Sequence, residues 1–155
     1  MATAIECASA VIIGFGNPLC GDDGFGCAAA EVLAEQYSDD AGISVIATHQ
    51  LTPELAADLA EVGRVVFIDA SASVNVHEPV GTIRCEKVSA DSTINVHGHS
   101  LSPSALLSLT DQLYGRTPDA LLITVSGARF DLGCSLSDDV RAQIPRIMDL
   151  VAAFL

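Results

Sequence analysis

A glycine-rich loop at residues 14–26 constrains the fold more than any other feature of this sequence. It follows a short apolar run and leads into residues 25–37, whose apolar side chains have helical spacing. A strand, a tight glycine turn and a helix in this order are typical of an open α/β sheet. The loop offers two carboxylates, Asp22 and Asp23, and the thiol of Cys20. Because carboxylates repel phosphate and attract cations, the loop predicts a metal-facing site rather than a nucleotide site.

Four short apolar segments predict β-strands. They are rich in β-branched residues and nearly continuous, which is typical of strands covered on both faces. They lie at residues 10–15, 43–47, 65–68 and 121–125. A fifth segment, 81–88, alternates between apolar and charged residues, which indicates an exposed edge strand. The connection that precedes it has little helical character, so we expect this strand to be antiparallel.

Helical spacing of apolar residues recurs between these strands and after the last one. It lies near residues 25–37, 53–60, 103–113 and 137–154. Thr52-Pro53 and Ser102-Pro103 each place a hydroxyl cap before a proline at the first helical position. Pro145 lies inside the last pattern and predicts a kink or a local break. The order of elements predicts one domain over residues 1–155, an α/β protein with a three-layer α/β/α sandwich and a mostly parallel twisted sheet of about five strands.

Composition narrows the class of protein. Half of the 155 residues are hydrophobic and 17% are charged, which excludes a disordered chain. The net charge of −13 argues against nucleic acid and anionic membranes as partners. No apolar run approaches the roughly 20 residues of a membrane-spanning helix. The five cysteines form no CxxC pair and the N-terminus lacks a basic leader, so we expect free thiols and a cytoplasmic protein.

Polar residues that follow the predicted strands are the candidate site residues, because ligands bind beyond the carboxyl ends of parallel strands. They are Asn17, Cys20, Asp22 and Asp23 after the first strand, His49 and Gln50 after the second, Asp69 at the end of the third, His97 and His99 before a helix, and Ser126, Gly127 and Arg129 after the last. Three of them, Asp23, Asp69 and His99, can converge on a divalent ion such as nickel, zinc or manganese. Such a site would keep an open position for substrate or water.

Each candidate also has a structural interpretation. Either aspartate of the 22–23 pair could cap the following helix, and Asp69 could be a turn residue. Cys20 could fill the core, His49 could bond the backbone at its strand end, and Arg129 could be a surface charge. One histidine of the 97–99 pair could simply be a loop residue. Known ligand loops do not fit: the dinucleotide fingerprint fails at its third glycine, and P-loop, GxSxG and EF-hand patterns are absent.

The glycine loop resembles the opening of the [NiFe]-hydrogenase maturation endopeptidases. The resemblance rests on Gly14-Phe15-Gly16-Asn17 followed by Asp22-Asp23-Gly24-Phe25-Gly26. It continues through His49-Gln50-Leu51-Thr52-Pro53-Glu54-Leu55, Phe67-Ile68-Asp69-Ala70, His99-x-Leu101, residues 123–133 and the terminal helix with Pro145. It therefore covers essentially the whole chain.

This resemblance implies an α/β sandwich that removes a C-terminal extension from a hydrogenase large-subunit precursor after nickel insertion. The metal-contacting positions of the family fall on Asp23, Asp69 and His99, and the first can be Glu or Asp. These residues would recognise nickel that the precursor supplies, and no organic cofactor is implied. Either the nickel or an ionised aspartate would then activate the attacking water. We expect a monomer, because the partner is a large precursor.

Two other functions stay open at this point. One is an autonomous zinc hydrolase of small amides or peptides, which would hold its own metal. The other is a non-catalytic module that escorts a nickel-loaded partner and leaves it uncut. The sequence does not separate them from the main hypothesis.

Overall fold

The computed structural model describes residues 9–72, 77–90 and 100–155 of the chain. The strands are β1 Ala10–Phe15, β2 Ile43–Thr48, β3 Arg64–Ala72, β4 Ile83–Val88 and β5 Asp119–Gly127. The helices are α1 Phe25–Gln36, α2 Leu55–Ala60, α3 Pro103–Tyr114, α4 Asp138–Arg141 and α5 Ile144–Phe154, and a 3₁₀ turn at Gly21–Gly24 precedes α1. Each strand and each long helix of the described ranges lies where the sequence predicts one.

The strands form one five-stranded sheet in the order β2-β1-β3-β5-β4. The first four are parallel, and β4 pairs antiparallel with β5. This confirms the predicted mostly parallel sheet with an antiparallel edge strand. The prediction that all four apolar strands are covered on both faces is wrong for β2, in which no residue is fully buried. The reason is that β2 forms the second edge of the sheet.

Helices cover both faces of the sheet, which gives the predicted three layers. Successive strand residues point to opposite faces, so β1 sends Val11 and Ile13 into one core and Ile12 into the other. On the first face the strands pack against α2 and α3, and on the second against α1 and α5. Below, these are called the α2–α3 face and the α1–α5 face.

Local sequence signals explain some of the helix boundaries. The Ser102 hydroxyl caps α3 by accepting the N–H of Ala105 at 3.2 Å, as predicted. The predicted cap at Thr52 is wrong: α2 begins at Leu55 with no side-chain cap, because a backbone turn from Thr52 precedes it. The break near Pro145 is confirmed, since α4 ends at Arg141 and α5 begins at Ile144. No helix in the described part of the chain is long and apolar enough to cross a membrane.

Candidate active site

The sheet has a topological switch point between β1 and β3. The chain leaves β1 through α1 toward β2 on one side, while β3 pairs with β1 on the other. Loops that leave in opposite directions open a crevice at the carboxyl ends of the strands, where open α/β sheets bind ligands. The β1–β3 pairing stops at Gly14 and Ile68. The next residues, Phe15 and Asp69, therefore lie where the two strands separate.

A cleft of about 230 Å³ occupies this crevice. The polar side chains of Asp23, Asp69, His49 and Gln50 line it, together with Phe15 and Leu101. The strands thus bring four of the predicted candidates to one place. His97 and His99 lie outside the described residues.

The glycine loop fixes the position of Asp23. One carboxylate oxygen, Oδ2, accepts the backbone N–H of Asn17 at 2.8 Å. Behind it, Gly16 has a φ of 136°, and a side chain at this position would overlap the carbonyl oxygen of Asp23. The Asn17 side chain accepts the N–H of Leu19 at 3.0 Å and so organises the loop. Glycine at residue 16 is therefore what allows the loop to close behind the carboxylate.

Asp69 lies inside β3 rather than at its end, which corrects the sequence prediction. The strand continues to Ala72 because it stays paired with β5, and Asp69 lies opposite Thr124. Its Oδ1 accepts the N–H of Ala70 at 2.8 Å. Burial raises the pKa of Asp69 to about 7, the Ala70 hydrogen bond opposes this, and the Asp23 charge adds to it. The charge of Asp23 therefore acts on Asp69 across the cleft.

Asp22 has a different environment from its neighbour. Its side chain is completely buried and accepts the backbone N–H groups of Ala128 at 2.7 Å, Arg129 at 3.1 Å and Ser137 at 2.7 Å. The Ser137 hydroxyl also donates to it at 3.0 Å. Burial alone would raise the pKa of Asp22, but these hydrogen bonds hold it below its ordinary value. Asp22 therefore ties the segment after β5 to the glycine loop, and neither aspartate of the pair caps α1 with its side chain.

The remaining candidates have mostly structural surroundings. Gly127 is packed so that a side chain would meet the Phe130 ring and the Cβ of Asp22, and Ser126 is buried. Arg129 is exposed and contacts Asp22 through its backbone. Cys20 is partly exposed, and the cysteines of the described ranges are free thiols.

Cys27 is a residue that sequence reasoning missed. Its buried thiol donates to the carbonyl oxygens of Gly16 and Thr48, both at 3.4 Å, and so joins α1 to the loop and to β2. Burial raises the pKa of this thiol, and the charges of Glu31, Asp23 and Asp69 add to the effect. A buried thiol with a raised pKa is a poor nucleophile. Cys27 lies one helical turn after Asp23, and this spacing is the sequence signal that could have placed Cys27 beside the site.

The described residues supply a carboxylate pair rather than a complete metal site. Among them, no group of three or more His, Cys, Asp and Glu side chains could hold a metal ion. Asp23 and Asp69 offer oxygen donors, which suit a hard or borderline divalent cation. A carboxyl group with a pKa near 7 is also suited to proton transfer at neutral pH. The cleft can thus contact a cation and move a proton.

Comparison with known proteins bears on the fold. No protein-family model and no curated protein sequence matches the chain. Solved structures do match. The [NiFe] hydrogenase maturation protease HycI from Thermococcus kodakarensis is 22% identical with a TM-score of 0.74, covering 94% of this chain and 91% of its own. The hydrogenase maturating endopeptidase HybD from E. coli is 22% identical with a TM-score of 0.75, at the same coverage.

A third solved structure also matches the chain. The hydrogenase 2 maturation peptidase from a Thaumarchaeota archaeon is 23% identical with a TM-score of 0.66, covering 92% of this chain and 94% of its own. The resemblance seen in the sequence motifs is thus matched by a resemblance between structures along nearly the whole chain. The chain has the fold of the solved hydrogenase maturation proteases.

Proposed function

We propose that the chain is an endopeptidase of hydrogenase maturation. It removes a C-terminal extension from the precursor of a [NiFe]-hydrogenase large subunit after nickel has been inserted. One observation carries the proposal: Asp23 and Asp69, two positions that the family resemblance assigns to metal contact, line one cleft at the β1–β3 switch point. HycI and HybD, two solved proteins with this fold, are named a maturation protease and a maturating endopeptidase, which supports the same reaction class.

The carboxylate pair fits a metal that arrives with the substrate. In the described chain, one oxygen of each carboxylate accepts a backbone N–H, from Asn17 and from Ala70. The other oxygen of each is available to the cation, and His99 is the third contact in this proposal. Two or three such contacts bind weakly alone, so nickel that already has ligands from the precursor is favoured over free nickel. The site then senses whether the precursor is loaded.

Asp69 is the group of the described cleft best placed to move a proton. Peptide hydrolysis needs a base that takes a proton from water and returns it to the leaving amine. A pKa of about 7 leaves the Asp69 carboxyl in both protonation states at neutral pH. Nickel bound in the substrate would polarise the scissile carbonyl or the water. The second oxygen of Asp69 can take only one of these roles at a time: when it does not contact nickel it would hold the proton, and the neighbouring charge of Asp23 raises its basicity.

The main test uses a nickel-loaded large-subunit precursor from the same source and a nickel-free control. Intact mass spectrometry reads the product after incubation with the protein. Loss of a C-terminal peptide from the loaded sample alone is the expected result. Binding without a mass change would favour the escort module, and cleavage of both samples would mean that nickel is not the signal.

Variants assign the site within this assay. Asp69→Asn and His99→Ala should abolish trimming, because one removes the proton acceptor and the other the third contact to nickel. Asp119→Asn is the matched control, since Asp119 is an exposed aspartate at the start of β5. A folded double variant that still trims the precursor would show that the site is elsewhere.

Metal analysis separates the proposal from an autonomous zinc hydrolase. The purified protein should contain far less than one tightly held ion per chain. One zinc ion per chain together with turnover of simple peptides would instead support the zinc hydrolase. The monomeric state, the cytoplasmic location and the single domain over residues 1–155 stay predictions.

A further inference from the structure

Two exposed leucines lie at the rim of the candidate active site. Leu19 belongs to the glycine loop and is 61% exposed, and Leu132 follows β5 and is 76% exposed. Both loops leave the carboxyl ends of parallel strands, so they lie on the same side of the sheet as Asp23 and Asp69. A single exposed leucine is common on protein surfaces. The position of these two, rather than their exposure alone, therefore needs an explanation.

Backbone hydrogen bonds bring the two leucines together from distant parts of the chain. The carbonyl oxygen of Leu19 accepts the N–H of Gly133, the residue after Leu132, at 2.7 Å. A second bond joins the N–H of Gly21 to the carbonyl oxygen of Cys134 at 3.1 Å. The two loops therefore run side by side, with Leu19 next to Leu132. Below, these two residues are called the leucine pair.

The loops beneath the leucine pair are held firmly. The N–H of Asp22 donates to the carbonyl oxygen of Arg129 at 2.7 Å, and the buried carboxylate of Asp22 accepts the hydrogen bonds described above. Gly21 has a φ of 59°, and a side chain there would overlap the carbonyl oxygen of Arg129. Glycine thus allows the two loops to touch. Because this backbone is already fixed, a partner that covers the pair orders few additional groups on binding.

Asn17 connects the leucine pair to the carboxylate of Asp23. Its N–H donates to Asp23 at 2.8 Å, and its side-chain oxygen accepts the N–H of Leu19 at 3.0 Å. Covalent geometry keeps the Leu19 nitrogen within roughly 10 Å of the Asp23 carboxylate. A standard protein interface buries about 800 Å² on each partner, which corresponds to a patch roughly 30 Å across. A folded protein that places a bound metal against Asp23 would therefore also cover the leucine pair.

We propose that the leucine pair docks into an apolar depression on the folded, metal-carrying body of the precursor. The inference rests on the proposed function. Neither leucine lines the active-site cleft, so a free ion or a small amide bound there leaves both exposed. Only a partner large enough to extend beyond the cleft buries them, and burial of apolar surface is favourable. The leucine pair therefore favours a folded protein as the substrate of this site.

The first test compares the binding of two double variants to the loaded precursor. Leu19→Gln with Leu132→Gln removes the apolar surface without changing the net charge. Leu113→Gln with Tyr114→Gln is the matched control, because Leu113 is also 61% exposed and both residues end α3, on the opposite side of the sheet, where β5 begins. Biolayer interferometry on immobilised nickel-loaded precursor should show equal binding by the parent and the control, and about tenfold weaker binding by the leucine-pair variant. Equal binding by the two variants would overturn the proposal.

The second test separates docking from a structural effect on the glycine loop. In the trimming assay, the leucine-pair variant should raise KM about tenfold and change kcat little, since it removes binding rather than chemistry. Leu132→Gln alone should also raise KM, because Leu132 lies outside the glycine loop. A fall in kcat with an unchanged KM would mean that Leu19 only shapes the loop that holds Asp23, and it would overturn the proposal.

The two measurements also separate this inference from the proposed function. If the parent binds the loaded precursor without trimming it, the proteolytic function fails, while the binding comparison still decides the role of the leucine pair. If the parent neither binds nor trims the precursor, both proposals fail.

A second copy of the chain is the competing occupant. Light scattering over a range of protein concentrations tests it. A parent protein that dimerises and a leucine-pair variant that stays monomeric would assign the pair to self-association and overturn the proposal.

Discussion

At the residue scale, Asp22 and Asp23 are sequence neighbours whose carboxylates do different work. Asp22 is buried under three backbone N–H groups and one hydroxyl, whereas Asp23 faces the cleft. Asp22→Asn should lower the free energy of unfolding by about 2–4 kcal/mol, because an amide cannot accept all four donors. Urea denaturation measures this. Asp23→Asn is the control and should change stability by less than about 1 kcal/mol while it stops trimming. Equal losses for the two variants would contradict this division of roles.

The raised pKa of Asp69 predicts a pH-dependent cost to stability. Its carboxyl keeps the proton up to a pH of about 7 in the folded protein, whereas it ionises near pH 4 in the unfolded chain. The folded state binds more protons between these values, so this group lowers stability as pH rises from about 4 to 7. Asp69→Asn removes the dependence. The free energy of unfolding of Asp69→Asn, relative to that of the parent, should therefore increase by about 2 kcal/mol between pH 5 and pH 8.

Denaturant unfolding at the two pH values measures this difference. Asp119→Asn serves as the matched control, because Asp119 is an exposed aspartate at the start of β5. If Asp69→Asn is less stable than the parent at pH 8, the cleft stabilises the ionised carboxylate of Asp69 instead of destabilising it by burial.

The sequence could predict that Asp23 and Asp69 lie at the same edge of the sheet, but it could not predict the role of Asp22. A polar residue that follows a predicted strand is a local signal, and it placed both carboxylates at one edge of the sheet. The partners of Asp22 lie 106 to 115 residues later in the chain, at Ala128, Arg129 and Ser137. A contact of that separation exists only after the strands have been ordered. Spacing alone therefore could not decide which of the two aspartates caps a helix and which contacts a ligand.

At the element scale, α1 begins in direct contact with the sheet. A side chain at Gly26 would overlap the carbonyl oxygens of Phe15 and Ile68, and one at Gly14 would overlap the backbone of Gly26. Gly26→Ala gains about 1 kcal/mol of helix propensity. It should nevertheless destabilise the protein by about 2–3 kcal/mol, because backbone atoms cannot rotate away from the new methyl group.

Thermal unfolding tests this balance, with Gly63→Ala as the matched control. At Gly63 the nearest atom to an added Cβ is 3.7 Å away, an ordinary contact. This variant should melt within a degree or two of the parent. If Gly26→Ala melts at the temperature of Gly63→Ala, close packing of α1 on β1 is not needed for the fold.

Local sequence signals predicted where the elements lie better than they predicted which neighbours cover each element. The cap at Ser102 and the break before Pro145 depend on a few neighbouring residues, and both are confirmed. The exposure of β2 and the extension of β3 to Ala72 depend on which strands become neighbours. A continuous apolar run can be a central or an edge strand, since the side chains fit both. The sequence therefore identified the strands but not their coverage.

At the scale of the whole molecule, the strand order β2-β1-β3-β5-β4 creates the candidate site. It places β1 beside β3, so that loops from distant parts of the chain meet at Asp23 and Asp69. It also places β4 at an edge of the sheet, next to the start of α3. The sequence predicted the number and direction of strands but not their order, because several orders satisfy the same periodicity. The sequence therefore could not predict which loops meet at the cleft.

The excess of acidic residues predicts how the whole molecule responds to salt. Seven basic residues face 20 acidic ones, so most carboxylates repel one another in the folded state. The Arg84–Glu78 pair joins a largely exposed arginine to a mostly buried glutamate, and one such pair offsets little of this repulsion. Screening by salt should thus weaken the repulsion between carboxylates more than it weakens the attraction within ion pairs. Salt should therefore favour the folded state. We expect Tm at pH 7.5 to rise by roughly 3–6 °C between 10 mM and 300 mM NaCl.

The shape of the salt response separates screening from other effects. The Debye length is already about 8 Å at 0.15 M salt, so most of the rise should occur below about 0.3 M. Exclusion of salt from the protein surface would instead act mainly at molar concentrations. KCl should reproduce NaCl, because screening does not depend on the identity of the cation, whereas a specific sodium site would make the two differ. A Tm that falls with either salt would mean that specific ion pairs, rather than net repulsion, dominate the electrostatic free energy of this acidic protein.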